Sequence, residues 1–156
     1  MLTWGDLARE RPELADAGAQ LFYQFGVGLG FLATVRPNGG PRLHPVCPVL
    51  AEDSLSALLI RSPKRDDLLR DGRYAMHSFP CENNEDAFYI TGVASVVEQP
   101  EARRHIVEQF VSERGTMFTV HDVADHQAFE FRLDMAMLTQ TIGHGDANPR
   151  HTIWRP

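Results

Sequence analysis

The apolar positions at the start of the chain predict two short helices. Thr3 is followed three residues later by Asp6, the spacing of a helix capping box. Apolar residues then recur at helical spacing, and Pro12 divides the run because proline cannot supply the backbone N–H that a helix interior needs. The sequence therefore predicts a helical segment over about residues 1–25, ended by a glycine-rich stretch.

After residue 30 the pattern changes to short strands separated by turns. Pro37-Asn38-Gly39-Gly40 is a strong turn signal between the first two strands. Pro45 and Pro48 place the second strand at an edge or a bulge, because each proline removes one N–H from the ladder. The predicted strands are 31–36, 42–50, 55–61, 74–79, 88–97 and 128–142.

Two further helices are predicted between these strands. Ser62 suits the N-cap of the first helix, Pro63 its first position and Gly72 its end. The second is an amphipathic helix over 100–114. A doubly wound parallel sheet would need a helix after nearly every strand. The pattern instead predicts a mainly β (α+β) fold, a six-stranded antiparallel barrel with flanking helices, in a single domain over residues 1–156.

Composition and charge exclude several classes of protein. A hydrophobic fraction of 43% with 23% charged residues is ordinary for a globular domain. The net charge of −6 argues against general binding to nucleic acid or to an anionic membrane. We expect no membrane span and no secretory signal, and therefore a cytoplasmic protein. Two cysteines are too few for a disulfide framework, so both are expected to be reduced.

Most enzyme motifs are absent from the chain. We find no dinucleotide fingerprint, no P-loop, no nucleophile elbow and no paired-histidine metal motif. The segment His121 to His126 carries two histidines and two aspartates that metal ligation would suit, but a polar surface turn is the better interpretation. No metal site is predicted.

The segment Arg61-Ser62-Pro63-Lys64-Arg65 is the strongest local candidate for a ligand site. Three cations surround a serine at the predicted start of a helix, where free N–H groups and the helix dipole favour an anion. Lys64 is the only lysine in the chain. The sequence favours a phosphate site here. The competing interpretation is a capped surface helix in which Lys64 and Arg65 pair with Asp66 or Asp67.

Two further segments offer weaker candidates. Strand alternation places Arg42 and His44 on one face, where a cation could meet a phosphate and an imidazole could meet a ring. The competing interpretation is a strand rim with a satisfied histidine. Trp154 could stack on a planar ligand, although a lone tryptophan more often anchors a chain terminus.

In order and spacing, these segments resemble the pyridoxamine 5′-phosphate oxidase-like family of split β-barrels. The resemblance runs from about Gly30 to the C-terminus. The matching stretches are the hairpin over 32–46, the strand that leads into Ser62-Pro63-Lys64-Arg65-Asp66-Asp67-Leu68, Tyr89-Ile90-Thr91-Gly92-Val93-Ala94 with the helix after it, and the tail His151-Thr152-Ile153-Trp154-Arg155.

The resemblance implies a six-stranded split barrel that forms a homodimer, with two equivalent cofactor sites at the subunit interface. It implies FMN as the cofactor, with the deazaflavin F420 as an alternative and haem or a tetrapyrrole as a further one. Lys64 would contact the phosphate, the preceding strand, which contains Ile60, would line the ring, and Trp154 and Arg155 would approach from the partner chain. The implied cofactor-binding residues are Arg42, His44, Ile60, Arg61, Ser62, Lys64, Arg65, Trp154 and Arg155.

The functional hypotheses follow from this resemblance. The first is an FMN-dependent oxidoreductase acting on a small planar substrate, with His44 as the proton donor to test first. Many FMN-binding relatives have an arginine two residues before the lysine, where this chain has Ser62, which leaves an F420-dependent reductase open. The other hypotheses are a non-catalytic module that binds flavin or haem, and a ligand-free dimer.

Overall fold

The computed structural model describes all residues, 1–156, as four helices and an antiparallel sheet of eight strands. The helices are α1 (Trp4–Glu10), α2 (Pro12–Phe22), α3 (Pro63–Arg70) and α4 (Pro100–Ser112). The strands are β1 (Gly30–Val35), β2 (Pro41–Val46), β3 (Val49–Ala51), β4 (Ser54–Leu59), β5 (Arg73–Ser78), β6 (Ala87–Val96), β7 (Gln127–Gln140) and β8 (Arg150–Trp154). None of the helices combines the length and apolar character that crossing a bilayer requires.

The predicted N-terminal helices are confirmed, including their cap. The Thr3 hydroxyl accepts the backbone N–H of Asp6 at 3.1 Å, and the Asp6 carboxylate accepts the backbone N–H of Thr3 at 2.8 Å. The rings of Trp4 and Phe22 pack edge-on against Phe88 of β6, with centroids 5.9 and 5.7 Å away. These contacts fix α1 and α2 against the core side of the sheet.

The sheet curls into an incompletely closed barrel. Seven strands follow one path in the order β2-β1-β5-β6-β7-β4-β3, and β8 pairs with β7 off this path. The long strand β7 pairs with β6 along most of its length, with β4 through Gln127–Glu130 and with β8 through Ala136–Gln140. Since β2 and β3 are neighbours in sequence but lie at opposite ends of the strand order, the two edges of the sheet come together.

The predicted number of six strands is wrong, because the path has seven strands and β8 adds another. The predicted strand 42–50 is two strands, β2 and β3, since the chain leaves one edge of the sheet and joins the other across Cys47 and Pro48. The tail, which was not predicted as a strand, forms the five residues of β8. Five residues are too few for alternation alone to reveal a strand.

Two apolar cores lie on the two faces of β4, which gives Ala57 and Leu59 to one core and Leu58 to the other. The larger core is formed by α1, α2 and the inward residues of β1, β5, β6 and β7, among them Leu32, Met76 and Phe131. The smaller core lies under α4, where Ile106 and Phe110 pack with residues of β3 and β4. Helix α4 therefore covers β3 and β4 at one end of the strand order, and β2 forms the edge at the other end.

Gly28 fixes the connection between α2 and β1 at the opening of the barrel. A Cβ at Gly28 would lie 1.9 Å from the carbonyl oxygen of Pro48, so no other residue fits. This close approach holds the chain before β1 against the turn between β2 and β3. It places Leu29 at the open edge of the barrel.

Candidate functional site

The open edge of the barrel contains a cleft of about 210 Å³. One wall is formed by β2, β4 and the start of α3, with Pro45, Cys47, Leu58, Ile60 and Lys64. The other wall is formed by α4, the loop after it and the residue before β1, with Leu29, Phe110, Phe118 and His126. Two of the predicted site residues, Ile60 and Lys64, thus lie together in an otherwise mainly apolar cleft.

Lys64 is the cation of this cleft. It lies in the first turn of α3, and its Nζ donates to the carbonyl oxygen of Pro45 at 2.8 Å. An ammonium group has three donors, and this is the only hydrogen bond that the side chain makes. Burial lowers the pKa of Lys64, because desolvation disfavours the charged amine, while the nearby Cys47 acts in the opposite direction. Two unused donors on a half-buried ammonium fit the oxygens of an anion.

The residues around the start of α3 are incompletely paired as well. Arg61 is exposed, and its side chain makes no hydrogen bond or ion pair in this chain. The Arg65 Nε is buried without a partner. The Ser62 hydroxyl donates to the carbonyl oxygen of Ile60 at 3.0 Å instead of capping the helix, which leaves the first N–H groups of α3 free of a side-chain cap. Incompletely paired cationic side chains, together with backbone N–H groups that no side chain caps, suit a phosphate.

The Arg42 side chain is paired with a carboxylate of its own chain and is not free to bind a ligand. Its Nε donates to the Asp67 carboxylate at 2.6 Å, and the Thr34 hydroxyl donates to the same oxygen at 2.8 Å. Arg70 donates to the other oxygen at 3.2 Å. Burial alone would raise the pKa of Asp67, but the hydrogen bonds from Arg42, Thr34 and Arg70 hold it below its usual range. Asp67 is 2% exposed, so Arg42 neutralises a buried charge within the protein.

His44 lies on the same face of β2 as Arg42. It is half-buried opposite Leu32 of β1, and its imidazole makes no hydrogen bond in this chain. Arg42, on this face, reaches Asp67 of α3, and Val46, two residues beyond His44 on the same face, lines the cleft. His44 therefore lies on the α3 side of β2, but it does not line the cleft.

Trp154 and Arg155 lie far from the Lys64 cleft of their own chain. Trp154 is buried opposite Ala136 of β7, and its Nε1 donates to the Glu10 carboxylate at 3.0 Å. The cleft adjoins the other end of β7, about 30 Å away when measured along the strand at the rise of extended chain. Arg155 is exposed and makes no side-chain hydrogen bond. A contact between these residues and a ligand at Lys64 would require a second chain.

Sequence reasoning missed the second wall of the cleft. The segment that contains His126 was interpreted as a surface turn, and no group of three or more metal-ligating side chains forms there. The sequence pattern does not reveal the register in which β4 and β7 pair. Gln127 pairs with Leu59, so the preceding residue, His126, lies beside Ile60 at the end of β4. Burial lowers the pKa of His126, Arg103 lowers it further, and Asp125 acts in the opposite direction.

Comparison with known proteins finds similar structures but no similar sequences. No protein-family model and no curated protein sequence matches the chain. The heme binding protein of Mycobacterium smegmatis is 18% identical with a TM-score of 0.61, over 87% of this chain and 57% of that one, so this chain spans little more than half of its length. HutZ, the heme storage protein of Vibrio cholerae, is 15% identical with a TM-score of 0.63, over 93% of both chains.

A third similar structure is a Listeria innocua protein assigned as a pyridoxamine 5′-phosphate oxidase. It is 15% identical with a TM-score of 0.63, over 79% of this chain and 95% of that one. Similarities at 15–18% identity show a common fold and do not transfer an activity. They confirm the resemblance inferred from the sequence at the level of the fold: this chain has the split β-barrel fold of the pyridoxamine 5′-phosphate oxidase-like proteins.

Proposed function

We propose that this chain is a homodimeric flavoprotein that binds FMN and acts as an oxidoreductase on a small planar substrate. A bound flavin supplies hydride transfer, and the protein supplies binding, orientation and exclusion of water. The observation that carries the proposal is Lys64. A half-buried ammonium group with two unused donors stands beside an apolar cleft, at the uncapped start of α3.

The residues present fit the two halves of a flavin mononucleotide. The phosphate would take the free donors of Lys64, with Arg61 and Arg65 adding positive charge, and the Ser62 hydroxyl would turn from the Ile60 carbonyl to donate to a phosphate oxygen. The apolar side chain of Ile60 and the neighbouring strand would contact the ring. Arg42 would support the site indirectly by holding Asp67 and thereby α3.

The cleft of one chain is too small to enclose a ligand of flavin size by itself. A volume of about 210 Å³ is smaller than the roughly 300–1,000 Å³ of pockets that enclose a ligand of flavin size. A second copy that contributes Trp154 and Arg155 would enlarge the enclosure. We therefore propose a homodimer with the cofactor at its interface.

The outer face of the sheet offers a surface for this second copy. Two rows of side chains cross the strands there in register and are half-buried or exposed, with Leu43 64% and Ile153 47% exposed. One row is Leu43, Ala33, Ala75, Thr91 and Met135, and the other is Pro45, Phe31, His77, Tyr89, Met137 and Ile153. This face is mainly uncharged, with the exposed Asp134 carboxylate accepting a hydrogen bond from Thr91, and it is continuous with the cleft at Pro45, which suits a self-complementary interface.

Light scattering after gel filtration tests the dimer. The full chain should elute at twice its 17.5 kDa mass. Ala75→Asp places a charge at the centre of the outer face and should give a folded monomer, because a buried unpaired carboxylate is costly. Ser112→Asp, on the exposed side of α4, is the matched control and should remain dimeric. A wild-type monomer, or an Ala75→Asp dimer, would contradict the proposed interface.

An absorption spectrum followed by a thermal-shift titration tests the cofactor. The purified protein is titrated with FMN, F420 and haemin. A ligand that binds the folded state raises the melting temperature by mass action. A shift with FMN supports the proposal. A shift with F420 alone would identify the deazaflavin as the cofactor, which agrees with Ser62 standing where many FMN-binding relatives have an arginine. Colourless protein with no shift would refute a flavin site.

His44 is the proposed proton donor; it lies on the α3 side of β2 but does not line the cleft. The test compares His44→Ala with wild type for flavin affinity and for the rate at which the reduced flavin is reoxidised by an added acceptor. A role in proton transfer predicts unchanged affinity and a reoxidation rate lower by about a hundredfold. If His44→Ala keeps the wild-type flavin affinity and reoxidation rate, His44 has no role in proton transfer.

A non-catalytic haem-binding module is the second candidate. Two of the similar structures are described as a heme binding and a heme storage protein, and the cleft holds one imidazole, that of His126. An imidazole is a common axial ligand of haem iron. This candidate predicts a Soret band and a haemin-dependent thermal shift that His126→Leu abolishes, with no effect of FMN.

A further inference from the structure

The wall of the cleft formed by α4 and its following loop is not used by the proposed phosphate contact. Phe110 is buried in α4, and Phe118 is half-buried in the loop. Their rings meet edge to face, with centroids 5.6 Å apart. Leu29 and Leu58 complete the apolar surroundings. Such a wall suits a flat ring, because aromatic contacts add to the gain from burying apolar area.

His126 is the polar side chain of this wall. Its backbone is fixed, since its N–H donates to the carbonyl oxygen of Val123 at 3.1 Å and its carbonyl oxygen accepts from Arg103 at 3.2 Å. The imidazole makes no hydrogen bond in this chain. A neutral imidazole, which burial favours here, can donate through one nitrogen and accept through the other.

The charges of the cleft restrict what can bind beside a cofactor. No carboxylate lines it, and Lys64 is the one lining residue with a full charge. Where a cofactor phosphate takes Lys64, an anionic second ligand finds no free cation among the lining residues, and a cationic one finds no carboxylate. Burying an unpaired charge is strongly unfavourable. An uncharged ligand has no such cost.

We propose that the Phe118 side of the cleft is a subsite for an uncharged aromatic molecule of one or two rings. The ring packs mainly against Phe118, because Phe110 is 7% exposed and the Arg114 guanidinium covers one face of its ring, and one oxygen or nitrogen of the ligand hydrogen-bonds to His126. That this molecule is the substrate rests on the proposed flavin function. That an uncharged ring binds here rests on the cleft alone.

The test is calorimetric titration of the full chain with 2-naphthol, which is uncharged at neutral pH, and with its anionic counterpart 2-naphthoate. Each is titrated with and without saturating FMN. 2-Naphthol should bind both forms of the protein. 2-Naphthoate should bind only without FMN, when Lys64 is available. Phe118→Ala should weaken 2-naphthol binding about three- to tenfold and leave FMN affinity unchanged.

Control variants keep the result interpretable. Phe118→Leu retains apolar volume without the ring and should weaken 2-naphthol binding in the same direction. Met117→Ala changes the neighbouring residue, which is 75% exposed and does not line the cleft, and should have no effect. His126→Gln keeps a donor and an acceptor and should retain binding, whereas His126→Leu should weaken it.

The outcomes separate this inference from the proposed cofactor. If FMN binds but 2-naphthol does not, or binds wild type and Phe118→Ala equally, the subsite is refuted and the flavin site stands. If FMN does not bind but 2-naphthol binds and depends on Phe118 and His126, the flavin proposal is refuted and the aromatic subsite stands.

Discussion

Helix α3 carries two charged sites that differ in how completely their charges are paired. Asp67 is buried and accepts hydrogen bonds from Arg42, Thr34 and Arg70. Three residues earlier, Lys64 has one protein partner, the carbonyl oxygen of Pro45, and two unused donors. A fully paired charge holds elements together, whereas an incompletely paired charge beside a cleft has capacity left for a ligand.

The comparison also assigns different roles to two residues that the sequence placed in one group. Arg42 and Lys64 were both implied cofactor contacts. In the structure Arg42 connects β2 to the buried carboxylate of α3, and Lys64 lines the cleft. Substitutions should therefore separate stability from ligand affinity.

Arg42→Ala should produce the largest loss of stability. It removes the 2.6 Å partner of a carboxylate that is 2% exposed and leaves that charge incompletely neutralised. Breaking a buried ion pair costs about 3–5 kcal/mol, and we expect about 3 because Arg70 still contacts Asp67. The measurement is urea denaturation of the ligand-free chain.

Arg104→Ala is the matched control, since Arg104 pairs only with exposed carboxylates on α4 and should cost well under 1 kcal/mol. Equal stability of Arg42→Ala and wild type would show that the contact between Arg42 and Asp67 does not hold α3 in place. Arg42 would then again be a candidate ligand contact.

Lys64→Ala should have the opposite profile. The only hydrogen bond it removes within the chain is the one to Pro45, so the unfolding free energy should change by about 1 kcal/mol or less. FMN binding should weaken by about 1.5–3 kcal/mol, the range for hydrogen bonds to charged groups. Isothermal titration with FMN measures the affinity, and denaturation of the same sample measures stability. Unchanged affinity would dismiss the phosphate contact.

Much of the fold was predictable because it depends on local signals. The capping box at Thr3, the proline that begins α2 and the Ser62-Pro63 start of α3 each act within one turn of helix. The single lysine at a helix start also identified one wall of the cleft. The strand count failed at Pro48, where the chain changes from one sheet edge to the other, because alternation along the sequence carries no information about edges.

The second wall of the cleft was not predictable for the same reason. His126 becomes a cleft residue only through the pairing of β7 with β4, and Phe110 and Phe118 only through the packing of α4 on the smaller core. The partner of Asp67 was likewise undetermined, because pairing with Arg42 depends on the β1–β2 register. The positions of these residues depend on contacts between segments that are distant in sequence, which local patterns do not predict.

Asp67 should make the free energy of unfolding depend on pH in the acid range. The pKa of Asp67 is lower in the folded protein than its usual value of 3.8, so the unfolded chain takes up its proton first. The stability that this carboxylate contributes is present above pH 3.8 and is lost as the pH falls through the folded pKa. Asp67→Asn should flatten this part of a plot of unfolding free energy against pH. Parallel curves for the two proteins would contradict the lowered pKa.

His126 should produce a smaller change at higher pH. Its pKa is lowered from 6.5 in the folded state, chiefly by burial, so the unfolded chain again binds the proton more readily. Stability should therefore fall as the pH drops below about 6.5, until the folded pKa is reached.

The size of this effect is limited because His126 is only half-buried in the cleft wall. His126→Gln should flatten the decline, and His144→Gln, which removes an exposed imidazole from another loop, controls for the loss of a histidine. NMR titration of the imidazole gives the pKa directly. A value at or above 6.5 would mean that the cleft is well hydrated, and a hydrated cleft would weaken the case for an apolar ligand at Phe118.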